Sequence, residues 1–300
     1  MRLPELDPGL LPTYLAVLEH GRISAAARAV HLSQPAVTAR MKRLEESIGV
    51  PLLIRSVHGV TPTPAGERLA AYARRVDALL TDAISEIGGT RQRLGRLRLI
   101  ASTTIAAHVL PPVLARFRAR YPDVRMEIEI GNTEDVIAAI RAGDFPLGLV
   151  EGHARAAGVR LEPWVDDELV PVVGARSPWR PRDVSELEHV PMLWREAGSG
   201  TRQVVARALR EAGVRHRPSA RDLVLGANES IAGAAAAGLG LAFLSRWGLG
   251  PRLAAGQLRA VPALELTIQR SFHWAKPAAA VEGAAAHFLA FGRRHPPSPH

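Results

Sequence analysis

The apolar residues of this chain change period part-way along, and that switch limits the fold more than any other feature. Up to Ile87 they recur every three or four positions: Leu11, Leu15 and Leu18, then Val37, Met41, Leu44 and Ile48, then Leu69, Ala73, Val76, Leu80, Ala83 and Ile87. Such spacing puts each set on one face of a helix. From Leu97 the pattern becomes short apolar runs alternating with helical stretches, as in "LRLIAS", "VRMEIEIG" and "LGLVEG". That alternation marks a mostly parallel sheet with covering helices. An all-α unit followed by an α/β region is therefore expected, and 300 residues give room for about two domains.

Within the first unit, residues 10 to 20 read as one helix and a second starts at Ser24, whose hydroxyl can cap the amides of "AAARAVH". A short polar turn ends at Ser33, the N-cap of a third helix in "HLSQPAVTARMKRLEE". Pro35 falls in its first turn, where the missing N–H costs nothing. With Val37, Met41, Leu44 and Ile48 inward, Gln34, Thr38 and Lys42 point the other way. Two short helices with polar residues at the start of the second match a helix-turn-helix whose second helix enters the major groove. Gln34 can pair with an adenine edge, Thr38 can reach a base or a thymine methyl, and Lys42 and Arg43 can hold phosphates. An amphipathic helix pair with a solvated basic face fits the same spacing. Charge bears on the choice. The chain carries 38 basic and 29 acidic residues, and from Gly21 to Leu44 there are five basic residues and no acidic one. That local excess is an electrostatic footprint for an anionic polymer.

The next segment, "GVPLLIRSVHGVTPTPAGE", reads as a small hairpin turning at Gly59, with Arg55 and His58 as its basic residues, a wing able to lie along DNA. Thr63 then caps a long helix with Pro64 at its first position. Its four-three stripe, Leu69 to Ile87, is a coiled-coil seam of about three heptads. The stripe could pack on the body of the protein, but a strict four-three spacing favours pairing with a second copy.

The residues from Ser24 to Glu67, "SAAARAVHLSQPAVTARMKRLEESIGVPLLIRSVHGVTPTPAGE", closely resemble the LysR-type transcriptional regulators. The resemblance implies a winged helix-turn-helix over 1–63, a dimerising linker helix over 64–90 and an effector-binding domain over 91–300. It implies that Gln34, Pro35 and Thr38 occupy base-contacting positions and that Arg55 points from the wing toward phosphate. Ser24, Ser33, Arg40, Lys42, Arg43 and His58 complete the DNA-facing set. Members often carry a polar or basic residue where this chain has Ala39, followed by Arg40, so the reader of the base beside Thr38 stays open.

After Leu97 two sets of elements echo each other. "GNTEDVIAAIRAGDFPLGLVEG" (131–152) and "GANESIAGAAAAGLGLAFLS" (226–245) share an Asn near a helix start, an apolar helix, a Gly exit and an apolar strand. Two like lobes imply a hinged clamshell with a ligand in the crevice at strand ends. The resemblance implies the same arrangement, like a periplasmic binding protein, with one lobe over 97–165 and 266–294 and the other over 166–265. "RRHPPSPH" reads as a disordered tail.

Three polar helix starts are candidates to face the crevice: Ser102, Thr103 and Thr104; Ser199, Gly200, Thr201 and Arg202 in "REAGSGTR"; and Asn228 and Ser230. Glu151, closing "LGLVEG", joins them. Helix N-terminal amides backed by hydroxyls, with Gly198 and Gly200 allowing close approach, bind carboxylate or phosphate. A small anionic effector is expected; each hydroxyl taken singly also fits a plain N-cap. "REAGSGTR" resembles the subset that includes regulators of carbon-fixation and cysteine-biosynthesis operons, whose effectors tend to be organic acids or their phosphates.

Other classes fit less well. There is no HExxH pair, no GxSxG elbow around Ser199, no Walker lysine in "GSGTR" and no third Gly in "GLGLAF", so neither an enzyme nor a cofactor or metal site is expected. Cysteine is absent, which excludes disulfides and fits a cytoplasmic protein. The N-terminus, with Glu5 and Asp7, is a poor secretion signal. The longest apolar run, Ile231 to Leu244, is 14 residues, against the roughly 20 a membrane helix needs. A solute-binding protein without DNA function is the alternative, and it leaves the first 90 residues without a role. The expected partners are double-stranded operator DNA, a small anionic metabolite, further copies of the chain as homodimer and homotetramer, and RNA polymerase.

Overall fold

The computed structural model describes residues 6–56, 59–87, 94–152, 157–214, 219–264, 266 and 268–298. The chain divides into two compact units, one up to Gly95 together with Arg141–Asp144, and one comprising Arg96–Ile140 and the chain from Phe145 on.

The first unit opens with α1 (Leu11–His20), α2 (Ile23–Ala29) and α3 (Gln34–Ile48). Val37, Met41 and Leu44 of α3 are buried against Tyr14 and Val17 of α1 and Ala26 and Ala27 of α2. Burial of side chains of this size stabilises by about 1.5–3 kcal/mol each. Ser33 caps α3 as expected, its Oγ accepting from the Ala36 amide at 3.3 Å, and Pro35 lies in the first turn. Ser24 does not cap α2. The cap position is Arg22, without a side-chain bond, and Ser24 sits exposed inside the first turn. The helix starts two residues earlier than its polar signal because Ile23 belongs to the apolar face packed on the core. In the turn between α2 and α3, His31 takes φ 54°, a left-handed conformation that costs a residue with a Cβ about 1 kcal/mol or more.

A hairpin follows, β1 (Leu53–Ser56) antiparallel to β2 (Gly59–Pro62), with Arg55 opposite Val60. Glu45 of α3 fastens it: its Oε1 accepts from the amides of Leu52 and Leu53 at 2.8 and 3.1 Å. The long helix α4 (Pro64–Ile87) begins on a Thr63 cap, the Thr63 Oγ1 accepting from the Gly66 amide at 3.0 Å. A Cβ on Gly66 would lie 2.1 Å from the Leu52 carbonyl oxygen, so only glycine lets the first turn of α4 meet the chain just before β1. The stripe of α4 is divided. Leu69, Ala73 and Val76 pack on the unit's own core, whereas Leu80 is 55% exposed. The side chains of Ala83 and Ile87 lie outside the described residues.

The second unit contains β3 (Arg96–Ser102), α5 (Leu110–Arg120), β4 (Arg125–Gly131), α6 (Thr133–Ala142), β5 (Gly148–Glu151), β6 (Val159–Gly174), β7 (Leu193–Arg195), α7 (Gly200–Glu211), β8 (Leu223–Leu225), α8 (Asn228–Ala236), β9 (Ala242–Ser245), α9 (Arg246–Ala254), β10 (Leu258–Ala260), β11 (Ile268–Pro277) and α10 (Gly283–Arg294). A turn of π-helix, Ile105–Val109, precedes α5. The main sheet runs β10-β6-β11-β5-β3-β4, with β9 also on β6, and β7 pairs with β8 apart from it. The expected parallel pairs are β3 with β4 and β5, and β7 with β8. The sheet is mixed rather than mostly parallel, because β6 and β11 run antiparallel to each other along ten paired residues and recruit β5, β9 and β10 antiparallel as well.

Those two strands organise the lobes. The early part of β6 and the late part of β11 belong with β3, β4 and β5, over a core of Ile100, Val136, Ile140 and Val150. The late part of β6 carries β9 and β10, and Leu169, Val173 and Ile268 enter a second core with Met192, Val205 and Phe243. The strands cross from one lobe to the other around Asp166, Asp167, Arg270 and Ser271. The start of the "RRHPPSPH" stretch is not a free tail: Arg293 and Arg294 form the last turn of α10, where cations suit the helix dipole. Arg293 pairs with both oxygens of Glu162 at 2.6 and 2.5 Å, and Arg116 donates to the His295 carbonyl at 3.0 Å. These partners lie more than a hundred residues away in sequence, beyond the reach of a composition argument.

Candidate functional site

In the N-terminal unit α3 presents Gln34, Pro35, Ala39, Lys42 and Arg43 to solvent, with Thr38 half-buried beside them. This is the face opposite Val37, Met41 and Leu44. Ser33 is committed to its cap. Lys42 lies 3.7 Å from Glu46 and Arg43 lies 3.5 Å from Asp7, all well exposed. Exposed pairs of this kind are worth little and give way readily to phosphate. Arg40 is different: its Nη1 donates to the buried Thr13 hydroxyl at 2.9 Å and to the Gly9 carbonyl at 3.5 Å. It braces α3 on the start of α1, so its position beside Ala39 serves the fold first. Arg55 is exposed on β1. His58 lies outside the described residues.

In the C-terminal unit two polar clusters join the lobes. The deeper one centres on Arg270. Its Nε donates to Asp167 Oδ2 at 2.6 Å, and its Nη1 donates to Glu151 Oε2 at 2.7 Å and to the Thr201 hydroxyl oxygen at 2.8 Å. Glu151 also accepts from the Thr104 amide at 3.0 Å and from the Thr201 hydroxyl at 2.5 Å, and Asp167 accepts from the Ser245 hydroxyl at 2.7 Å. Burial raises the Glu151 carboxyl, but Arg270, Thr201 and Thr104 outweigh it and draw the pKa down to about 2. Burial dominates at Asp167 and pushes it up, against the pull of Arg270. Glu151 and Thr201 are thus bonded to each other and to Arg270, with the Thr104 amide on the second oxygen of Glu151. Gly200 is fixed by the same contact: a Cβ there would lie 2.3 Å from the Glu151 carbonyl oxygen. Ser199 caps α7, its Oγ accepting from the Arg202 amide at 3.4 Å. The helix begins inside "AGSGT", at Gly200.

The second cluster centres on Arg195, the last residue of β7, which is 4% exposed. Its Nη1 donates to the Thr103 hydroxyl oxygen at 2.9 Å and to Asn228 Oδ1. Asn228 Nδ2 in turn donates to the hydroxyl oxygens of Thr103 and Thr104 at 3.2 and 2.6 Å. Glu196 closes the other edge of the guanidinium, accepting from Nε at 2.8 Å and from Nη2 at 2.9 Å. Arg202 donates to the Arg195 carbonyl at 2.8 Å and lies over the Trp194 ring at 5.8 Å. Ser102, at the end of β3, keeps a buried hydroxyl without a hydrogen-bond partner among the described residues. Ser230 is exposed on α8. Cavities on either side of Asn228 are lined by Trp194, Arg195 and Arg202 on one flank and by Thr104, His108, Glu229 and Arg252 on the other.

The structure thus gathers Thr103, Thr104, Arg202 and Asn228 around one arginine that the helix-start reasoning missed. Its signal was modest: a cation ending the apolar strand "VPMLW" directly before a glycine-rich helix start. Arg270 and Asp167 were missed too, lying on strands whose alternation says only which face they take. Among the described residues no three His, Cys, Asp or Glu side chains could share a metal ion, and no helix is long and apolar enough to cross a membrane.

Residues 9–67 match the bacterial regulatory helix-turn-helix protein, lysR family, and residues 90–296 match the LysR substrate binding domain. Similar characterised sequences include the HTH-type transcriptional regulator CysL of Bacillus subtilis, 33% identical over 79% of this chain and 80% of that protein. CbbR of Xanthobacter flavus is 34% identical over 84% and 76%. Among solved structures, a point variant of full-length OxyR from Pseudomonas aeruginosa superposes with a TM-score of 0.74 at 22% identity, covering 97% of this chain and 95% of that one. The regulatory domain of Synechocystis PCC6803 CcmR, solved in complex with 2-PG, gives 0.60 at 26% identity over 67% and 96%. Full-length CbnR complexed with its target DNA gives 0.63 at 20% identity over 96% and 99%.

Proposed function

The chain belongs to the LysR family of DNA-binding transcriptional regulators with an effector-binding domain, and from that premise we propose that its effector is a small anion held between the two lobes beside Arg195. One observation carries this reading: a buried guanidinium at the lobe junction whose neighbours, Thr103 and Asn228, come from different lobes. A cation so placed binds an anion from both sides and fixes one lobe geometry. Ser102, with its unpartnered buried hydroxyl, Thr104, Arg202 and Ser230 complete the proposed contact set. CcmR, whose regulatory domain is related at 26% identity, was solved with a small molecule, 2-PG.

On DNA, Gln34, Pro35 and Thr38 are the proposed base readers, and Lys42, Arg43 and Arg55 the phosphate contacts. The proposed division is 1–63 for the winged helix-turn-helix, 64–90 for the linker and 91–300 for the effector domain. Linker pairing that includes the exposed Leu80 makes a cytoplasmic homodimer, and effector domains join dimers into a homotetramer. An anion that favours one lobe geometry shifts the spacing of the recognition helices and so the access of RNA polymerase. The test is selection of random DNA by the purified protein, followed by gel shift of the winners with and without phosphate, sulfate and dicarboxylates. The proposal expects an interrupted palindrome whose complex changes mobility with an anion. A footprint that responds only to neutral or cationic metabolites would overturn the anionic effector.

A further inference from the structure

The Arg195 guanidinium is already occupied. Glu196, the next residue, accepts from Nε at 2.8 Å and Nη2 at 2.9 Å, the side-on two-point geometry with which arginine also takes free carboxylate, sulfate or phosphate. The remaining nitrogen, Nη1, is held by Thr103 and Asn228. An anion entering the cleft therefore finds one edge bound to both lobes and the other covered by the chain's own carboxylate. Glu196 is not locked in as Glu151 is: its side chain is 27% exposed, and among the described residues Arg195 is its ion-pair partner. Glu151, by contrast, is 2% exposed and bound by Arg270, Thr201 and Thr104.

We infer that Glu196 is a built-in competitor, an internal carboxylate that sits on the effector's edge of Arg195 and must swing to solvent before an anion can bind. The inference rests on the anionic-effector reading above. A tethered carboxylate one residue away acts at high effective concentration, so the apparent affinity for any anion falls in proportion to the fraction of time the edge is free. Two properties follow. The site responds only to high concentrations of effector, and it favours anions with two oxygens able to replace both Glu196 contacts over halide or other single-point anions. A plain counter-ion role for Glu196 predicts neither.

The experiment is a melting-temperature titration of the full chain with inorganic phosphate, sulfate and chloride, on wild type, Glu196→Gln, Glu196→Asp, Arg195→Gln and the Arg195→Gln/Glu196→Gln double variant. The expected result is a half-effect concentration of phosphate and sulfate about tenfold lower in Glu196→Gln than in wild type, with chloride inert. The double variant should lose the response. Glu196→Asp, one methylene short of the two-point contact, shifts in the same direction and serves if Glu196→Gln does not fold. A wild-type response left unchanged or weakened in both Glu196 variants would overturn the competitor role while leaving the anionic effector standing. No response to phosphate or sulfate in wild type, Glu196→Gln or Glu196→Asp would overturn both.

Discussion

The recognition face of α3 and the cleft around Arg195 both present polar side chains, yet they are built on opposite principles. On α3 Gln34, Lys42 and Arg43 are exposed and the ion pairs are loose: Lys42 lies 3.7 Å from Glu46 and Arg43 3.5 Å from Asp7. In the cleft the two central cations are buried and neutralised from within, Arg195 by Glu196 and Arg270 by Glu151 and Asp167. A surface that meets a polyanion of fixed shape keeps its charges free; a cleft that must be stable when empty supplies its own counter-ions. The cleft then divides again, into a set that holds the lobes and a set that is free to exchange partners.

The largest effect should come from attacking the holding set. Arg270→Met leaves two buried carboxylates without their cation and should destabilise the C-terminal unit by about 3–5 kcal/mol, read by urea unfolding. A loss under about 1 kcal/mol would mean that Arg270 does not hold the lobes. Acid should act on the same set. The folded pKa of Glu151 is depressed to about 2, so its contribution is complete above roughly pH 5 and is lost as pH falls toward the folded value. Asp167 is raised by burial, so the native state binds its proton more tightly, and its contribution, complete below the unfolded value, is lost as pH rises through the raised folded one. The two oppose each other, and Glu151→Gln should reduce the acid-side loss by the share of Glu151, leaving that of Glu162, which Arg293 and Lys276 also hold down at about 2. A stability profile between about pH 5 and 3 that is unchanged in that variant would show that other carboxylates carry it.

On the exposed face effects are smaller and fall on binding rather than on stability. Gln34→Ala should relax specificity by about 1–3 kcal/mol, whereas Lys42→Ala should weaken cognate and random DNA alike and reduce the salt slope by about one. Equal losses on both DNAs for Gln34→Ala would remove it from the base readers. The smallest effect concerns the turn between the two helices. His31→Gly relieves the positive φ and should leave the unit as stable or up to about 1 kcal/mol more stable, as melting curves would show. A clear loss there would mean that the imidazole makes contacts worth more than the strain.

The same contrast explains what could be read from the sequence. The face of α3 was legible residue by residue, because a helix converts spacing into direction: Val37, Met41 and Leu44 inward forces Gln34 and Lys42 outward. The caps at Ser33 and Thr63 were legible because their partners lie three residues away. The cleft was legible only as a set of helix starts. Whether Thr201 faces a ligand or Glu151 depends on a partner 50 residues away, and Arg195 meets Thr103 across 92. The two long antiparallel strands were hidden for the same reason, since nothing local in "VRLEPWVDDELVPVVG" names "IQRSFHWAKP" as its neighbour. Ser24 misled because a good capping residue stood inside a helix whose start is set by the packing of Ile23.

The central claim is that one set of cleft residues holds the lobes and another answers to an anion, and paired variants test it directly. The melting temperature of the full chain, measured with and without phosphate, should fall in Thr201→Val while its rise with phosphate persists. In Arg195→Gln the rise with phosphate should vanish. Persistence of the phosphate response in Arg195→Gln, or its loss in Thr201→Val, would contradict the division.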